Sequence, residues 1–364
     1  MPLPVIDLGA LPADHQLTTA RHLAEQEAQQ PFDLQHGPLL RTTLLRLTPT
    51  QHVLLLTFHH IVTDGWSLGV FMRELGELYI AATQNRTPTL TPLPIQYPDF
   101  ALWQRTRLTG ENLDTEITHW RNELADAPTL LELPTDHPRP AIQTYRGANH
   151  TTHWPTTLLH RVQQLSRNEG TTVFQTLLTA YTTLLTRYTN QNDIVVGTPI
   201  ANRTHPELEN LIGFFANTLA LRTRTHDNPT FRELLHRVRE TTLRAYAHQD
   251  LPFERLVEAL EPERTLSHNP LVQTLFVLQH TPTTNTTTTW PDLRVSPLNN
   301  QSQGTTAKFD ITLTAYEAPD GLTLNAEYNT DLFNPPTIQR LLTHLHTLLE
   351  NALDNPDQPI HTLP

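Results

Sequence analysis

The sequence contains no cysteine, which rules out a disulfide, a thiolate nucleophile and a sulfur ligand for a metal. It has no apolar run near the ~18 residues that would suggest a membrane span. Residues 1–30 also lack the basic, apolar and small-residue order of a signal peptide. The expected localisation is therefore cytoplasmic, with no membrane partner. Positive charge is scarce, with 25 Lys and Arg against 37 Asp and Glu and a formal net charge of −12. Binding through a phosphate backbone would need a basic patch that the sequence does not show, so nucleic acid is not an expected partner. Glycine is scarce as well, 12 against 30 prolines, and together with abundant Thr and His this reads as a host-genome bias.

What is present is 364 residues, 37% of them hydrophobic, enough for two domains or one large bilobal one. Val5–Asp7 reads as a short strand and 13–30 as a polar helix. Pro38–Leu47 and Gln51–Phe58 read as a hairpin, and 67–82 as a helix with Leu68, Phe71, Met72, Leu75 and Tyr79 at helical spacing. Helical material follows near 97–108 and 116–124. Residues 130–147, with Pro134, Pro138 and Pro140, read as a linker. Beyond it come helices 171–188, 230–247 and 335–353, and strands at 193–198, 273–279, near Thr312 and near Leu324, an α/β pattern. Thr281–Thr289 is a low-complexity segment expected to be a loop.

The hairpin ends in His59-His60-Ile61-Val62-Thr63-Asp64-Gly65, an HHxxxDG run at a strand-to-helix turn. Function in α/β proteins collects at such strand ends. Further blocks follow in order: Gln96–Gln104, Ile194–Arg203, Ile212–Thr218, His248–Glu254 and His268–Gln273. With this ordered set the chain resembles a condensation domain of nonribosomal peptide synthetases, within the wider HHxxxDG acyltransferase superfamily. The resemblance implies an α/β fold of two chloramphenicol-acetyltransferase-like lobes in a V-shaped pseudo-dimer, divided here into 1–147 and 148–364. Two early family motifs are missing, so the first lobe is expected to be N-terminally truncated.

The implied activity is amide formation, in which a carrier-bound aminoacyl amine attacks a carrier-bound acyl or peptidyl thioester. The implied partners are a donor and an acceptor peptidyl carrier protein, whose phosphopantetheine arms bring the substrates; the domain itself is expected to hold no cofactor. Pro356–Pro364 reads as the start of a linker toward an adjacent adenylation domain. Donor and acceptor residues are not legible.

The reaction needs no enzyme nucleophile, and Ser67 stands outside a G-x-S-x-G elbow. His60 is the expected catalytic residue, as general base or as the group that positions the amine. A lone His at a strand end would read as core; the motif reverses that reading. His59, one position earlier on a strand, is expected to face the other way and to pack or hydrogen-bond. Asp64 admits a triad reading in which it orients His60. The resemblance implies instead that it pairs with Arg203 to hold the loop. Gly65 is expected to permit φ > 0 or a close backbone approach, or to be an ordinary turn glycine. Trp66, Ser67, Asn202 and Thr306 are candidate tunnel or substrate residues, with packing favoured for Trp66. His344 and His346 sit two apart on a helix and do not share a face, so no metal site is expected. Two further readings compete: a catalytically impaired remnant that still docks a carrier protein, and a stand-alone acyltransferase using coenzyme A.

Overall fold

Alternation of buried and open residues along some strands, unbroken buried runs along others, and a buried stripe along most helices set the architecture in the computed structural model, which describes residues 2–261, 265–280, 288–298 and 306–364. In chain order the first elements are β1 (Val5–Asp7), α1 (Ala13–Gln29), β2 (Leu40–Thr48), β3 (Gln51–Phe58), α2 (Gly65–Thr83), α3 (Tyr97–Arg107) and α4 (Gly110–Leu124). Then come β4 (Gly147–Pro155), α5 (Thr156–Asn168), α6 (Val173–Thr189), β5 (Asp193–Ile200), β6 (Asn217–Arg224), α7 (Phe231–Ala247) and α8 (Phe253–Leu260). The last are β7 (Thr274–His280), β8 (Thr288–Trp290), β9 (Leu293–Val295), β10 (Ile311–Ala318), β11 (Gly321–Asn329) and α9 (Pro335–Asp354). The expected loop at 281–289 lies largely outside the described residues.

Contacts divide the chain into two compact units. The first comprises Met1–Leu102, Arg203–Ala216 and Thr283–Ser302; the second comprises Trp103–Asn202, Asn217–Pro282 and Gln303–Pro364. This division is offset from the lobe boundary expected at 147/148. It passes through α3 and returns Arg203–Ala216 to the first unit, because those residues are held by long-range hydrogen bonds that local periodicity does not reveal.

In the first unit β2 is the centre of a three-stranded sheet, parallel to β1 and antiparallel to β3. Leu45 and Leu47 of β2 pack with Leu8 and Ala20, and Leu17, Leu23, Val53 and Leu55 close the cluster, so α1 covers one sheet face. A second small core joins Phe100 to Leu208, Leu211 and Phe215. That cluster docks the returning segment onto the start of α3.

In the second unit a six-stranded sheet runs β4-β11-β10-β7-β5-β6, with β10, β7 and β5 parallel and the other neighbours antiparallel. Ile311, Leu313 and Ala315 of β10 and Leu322, Leu324, Ala326 and Tyr328 of β11 point into the core, at the period of two that a strand dictates. Against this sheet lies α6, buried at every position from Gln175 to Thr186. A buried threonine is costly unpaired; Thr179 and Thr183 donate to the carbonyls four residues back, at 2.7 and 2.8 Å, whereas the Thr182 hydroxyl has no partner among the described residues. A capping box of Thr172 and Gln175 starts the helix. The expected linker at Pro356–Pro364 is instead packed structure, with Ile360 and Leu363 at most 1% exposed and Arg187 donating to the Leu363 carbonyl.

His119 on α4 stacks on His248, just past α7, with ring centroids 3.5 Å apart. His248 meets Glu116 at 3.1 Å, while His119 Nε2 is buried with no partner among the described residues. Burial, then the neighbouring His248, holds His119 below its ordinary 6.5. The unfolded chain therefore binds a proton that the folded chain resists, so stability is full above about 6.5 and falls as pH drops through the folded value. We expect His119→Gln to lose less thermal stability than the parent between about pH 7.5 and 5.5. Equal losses in a pair of melting series would remove His119 as the cause.

Candidate active site

Past Phe58 the chain leaves the sheet and turns through one 3-10 helix, His60–Val62, before α2 begins. His59 caps that turn, its Nδ1 accepting the Ile61 N–H at 3.1 Å. A neutral ring that accepts at Nδ1 carries its proton at Nε2. The His59 ring also lies edge-on to Phe32, with centroids 5.5 Å apart.

His60 has the opposite arrangement. Its Nδ1 lies 2.6 Å from the Thr63 carbonyl oxygen. A carbonyl only accepts, so Nδ1 bears the proton and the Nε2 lone pair is left for other chemistry. Phe214 meets the ring edge-to-face at 5.0 Å and limits its tilt. The residue is otherwise exposed. A neutral imidazole held in one tautomer, with one free lone pair, can accept a proton or a hydrogen bond from a bound amine.

Asp64 does not touch His60; it holds the backbone on either side of the site. Oδ1 accepts the Ser67 N–H at 2.8 Å and so caps α2. Oδ2 accepts the Phe215 N–H at 3.0 Å, and Arg203 Nη2 lies 3.3 Å from Oδ1. The Asp64 and Arg203 side chains are each 2% exposed. Arg203 also donates to the carbonyls of Leu208 and Leu211 and, at 2.8 Å, to Ser67 Oγ, and it lies 4.1 Å over the Phe215 ring. Burial pushes this guanidinium below its ordinary pKa, and the Asp64 carboxylate draws it back up.

Two expectations need correction. Gly65 is the first residue of α2, its φ lies outside the left-handed region, and a Cβ there would meet nothing within 4 Å. Neither special conformation nor close approach applies. Ser67 is fully buried, and its hydroxyl is used up, donating to the Gly213 carbonyl at 2.8 Å and accepting the Gly213 N–H at 3.1 Å. It tethers α2 rather than facing a substrate. Trp66 is 48% exposed and gives its indole N–H to the Glu209 carbonyl at 2.8 Å. His59, His60, Asp64–Ser67 and Arg203 thus share one unit. Asn202, in the left-handed region at φ 51°, and Thr306, bridged to Arg146, fall in the other unit.

Sequence reading assigned no role to Gly213, Phe214 and Phe215, although Ile212–Thr218 stood out as a block. The reason is that they act mainly through their backbone. Tyr97 also belongs here, donating its hydroxyl to the Phe214 carbonyl at 2.8 Å. A Cβ on Gly213 would lie 2.3 Å from the Tyr97 ring. We expect Gly213→Ala to cost about 1–3 kcal/mol, the usual range for overpacking. An unchanged urea midpoint would mean that Tyr97 swings aside freely. Among the described residues no group of three His, Asp or Glu side chains could hold a metal, and no helix is long and apolar enough to cross a membrane.

The family model for the condensation domain matches residues 1–364. The chain is 51% identical over 345 residues to a linear gramicidin synthase of Brevibacillus parabrevis, covering 95% of this chain and 4% of that protein. It is 43% identical over 363 residues to phosphinothricin tripeptide synthetase PhsC of Streptomyces viridochromogenes, covering 100% of this chain and 33% of that one. Among solved structures it is similar to the X-domain from teicoplanin biosynthesis, at 30% identity and a TM-score of 0.86, covering 100% of this chain and 80% of that one. A complex of the same domain with OxyB matches at 29% identity with the same TM-score, covering 100% of this chain and 79% of that one. The chain thus spans a small fraction of the curated synthetases it matches.

Proposed function

We propose, for a chain that belongs to the condensation-domain family, that it forms an amide bond between two carrier-bound substrates. The amine nitrogen of an acceptor aminoacyl group attacks the carbonyl carbon of a donor acyl thioester. The C–N bond forms, the C–S bond breaks, the proton lost by the amine ends on the departing thiol, and the acceptor carrier keeps the lengthened chain. The observation that carries this reading is the His60 Nδ1 contact with the Thr63 carbonyl at 2.6 Å, which leaves Nε2 free to hold the amine and take its proton. Asp64, Arg203 and Ser67 are positioning residues in this account. The partners would be donor and acceptor carrier proteins, with phosphopantetheine arms as substrate carriers, working beside an adenylation domain in the cytoplasm.

The test is intact-mass detection of amide product on an acceptor carrier, with loaded donor and acceptor carriers and either the parent chain or His60→Ala. Product that depends on His60 is expected. Absence of product from a cooperatively folded parent chain would overturn the proposal. It would favour a second reading, a domain that recruits a partner protein, which draws on the similarity to an X-domain whose structure with OxyB is solved.

A further inference from the structure

The peptide group that joins Phe214 to Phe215 is held at both of its polar ends. Its carbonyl oxygen accepts the Tyr97 hydroxyl at 2.8 Å, and its N–H is given to Asp64 Oδ2 at 3.0 Å. A peptide group is planar and only two dihedrals per residue are free, so fixing this plane from both sides also fixes the direction in which the Phe214 side chain leaves the chain. That side chain is the ring that meets His60 edge-to-face, with centroids 5.0 Å apart and 80° between the planes. All of these residues belong to the first unit.

Tyr97 is itself seated by its neighbours. Its ring lies 5.1 Å from that of Phe215 and 6.1 Å from that of Phe100, and its edge fills the space that Gly213 leaves by having no Cβ. Burial, then the Asp64 carboxylate, push the phenol above its ordinary 10, so it keeps its proton and goes on donating through the neutral and mildly alkaline range. On the other side of the site, the Thr63 carbonyl holds His60 at Nδ1 alone and leaves the ring able to swing about that contact. The Phe214 ring is what restricts the swing and so aims Nε2.

We propose that Tyr97 is a positioning residue for His60, acting through the Phe214 carbonyl to hold the ring that sets the imidazole's tilt. The consequence for turnover rests on the condensation reading; the consequence for the imidazole does not. Aim matters to the reaction because attack needs its groups aligned at near contact. Loss of one neutral hydrogen bond typically corresponds to about 2- to 10-fold in an equilibrium or a rate.

Tyr97→Phe keeps the ring and removes only the donor. The first readout needs no substrate: the carbon-bound ring protons of His60 are followed by NMR in the full chain, their signals identified by their absence from His60→Ala. A neighbouring aromatic ring held in one place displaces such signals, and Phe214→Leu gives their positions without it. In Tyr97→Phe they are expected to move from the parent positions toward those of Phe214→Leu. The second readout is amide formation with loaded donor and acceptor carriers, where Tyr97→Phe is expected to lower kcat about 2- to 10-fold with KM unchanged. His60 signals at the parent positions would overturn the inference, as would a kcat equal to the parent's. A hydroxyl that only stabilised the fold would lower the urea midpoint and leave both at parent values. No product from the parent would overturn the condensation reading, and the NMR signals would still decide whether Tyr97 holds His60.

Discussion

Replacing His60 with alanine is expected to slow amide formation by ~10²–10⁴-fold if Nε2 takes the proton from the attacking amine. Two contributions are mixed in that figure, and pH separates them. A model α-amino group titrates near 7.7–8.0, so roughly a tenth or more is already the free base near neutrality and the gain from deprotonating it in advance is modest. Holding the amine against the thioester can contribute more, on the order of 7–11 kcal/mol where orientation is complete. If His60 served only to strip the ammonium proton, the variant's deficit would shrink toward nothing as pH rose to about 9. If it positions the amine or takes its proton during attack, the deficit persists. A glutamine at 60 would retain an acceptor and recover part of the positioning but none of the basicity. Single-turnover rates for the parent, alanine and glutamine forms across that pH range decide between these roles. A loss below tenfold for His60→Ala would remove proton transfer from the account.

The turn that makes this argument possible was legible in outline from the sequence. The apolar run before His59 and the helical spacing after Gly65 place the motif between β3 and α2, as observed. The helices read at 171–188, 230–247 and 335–353 match α6, α7 and α9, the polar helix read at 13–30 matches α1, and most sheet strands were placed. The sequence reading did not deliver β4, whose GANHTTHWP is polar along a sheet edge, nor the eight-residue α8, which is too short to show a clear period, and it left α5 and β6 unassigned. Nor could it deliver the return of Arg203–Ala216 to the first unit, because that depends on backbone N–H groups of Gly213 and Phe215 meeting Ser67 and Asp64 across about 150 residues. Side-chain chemistry is written in the residue types. Main-chain donors look the same at every position, so only the fold reveals which ones a carboxylate has claimed.

The Asp64–Arg203 pair is where loss of one side chain should cost the fold most. Either Asp64→Ala or Arg203→Met leaves its partner charged at a site where both side chains are 2% exposed. Such an uncompensated charge typically costs about 3–5 kcal/mol. The double variant removes the charge conflict. It still leaves the Ser67 and Phe215 N–H groups and the Leu208 and Leu211 carbonyls short of partners, so it should fall well short of neutral. The three urea midpoints are therefore expected to be non-additive, with a coupling of about 0.5–3 kcal/mol. Additivity within about 0.5 kcal/mol would mean that Asp64 acts as a helix cap and backbone clamp and that the ion pair contributes nothing of its own. The consequence for chemistry follows from chain order. Thr63, whose carbonyl fixes the His60 tautomer, directly precedes Asp64. When Asp64 releases Ser67 and Phe215, that carbonyl loses its fixed position and His60 loses the partner of its Nδ1–H. Turnover by Asp64→Ala should then fall even at temperatures where the variant remains folded.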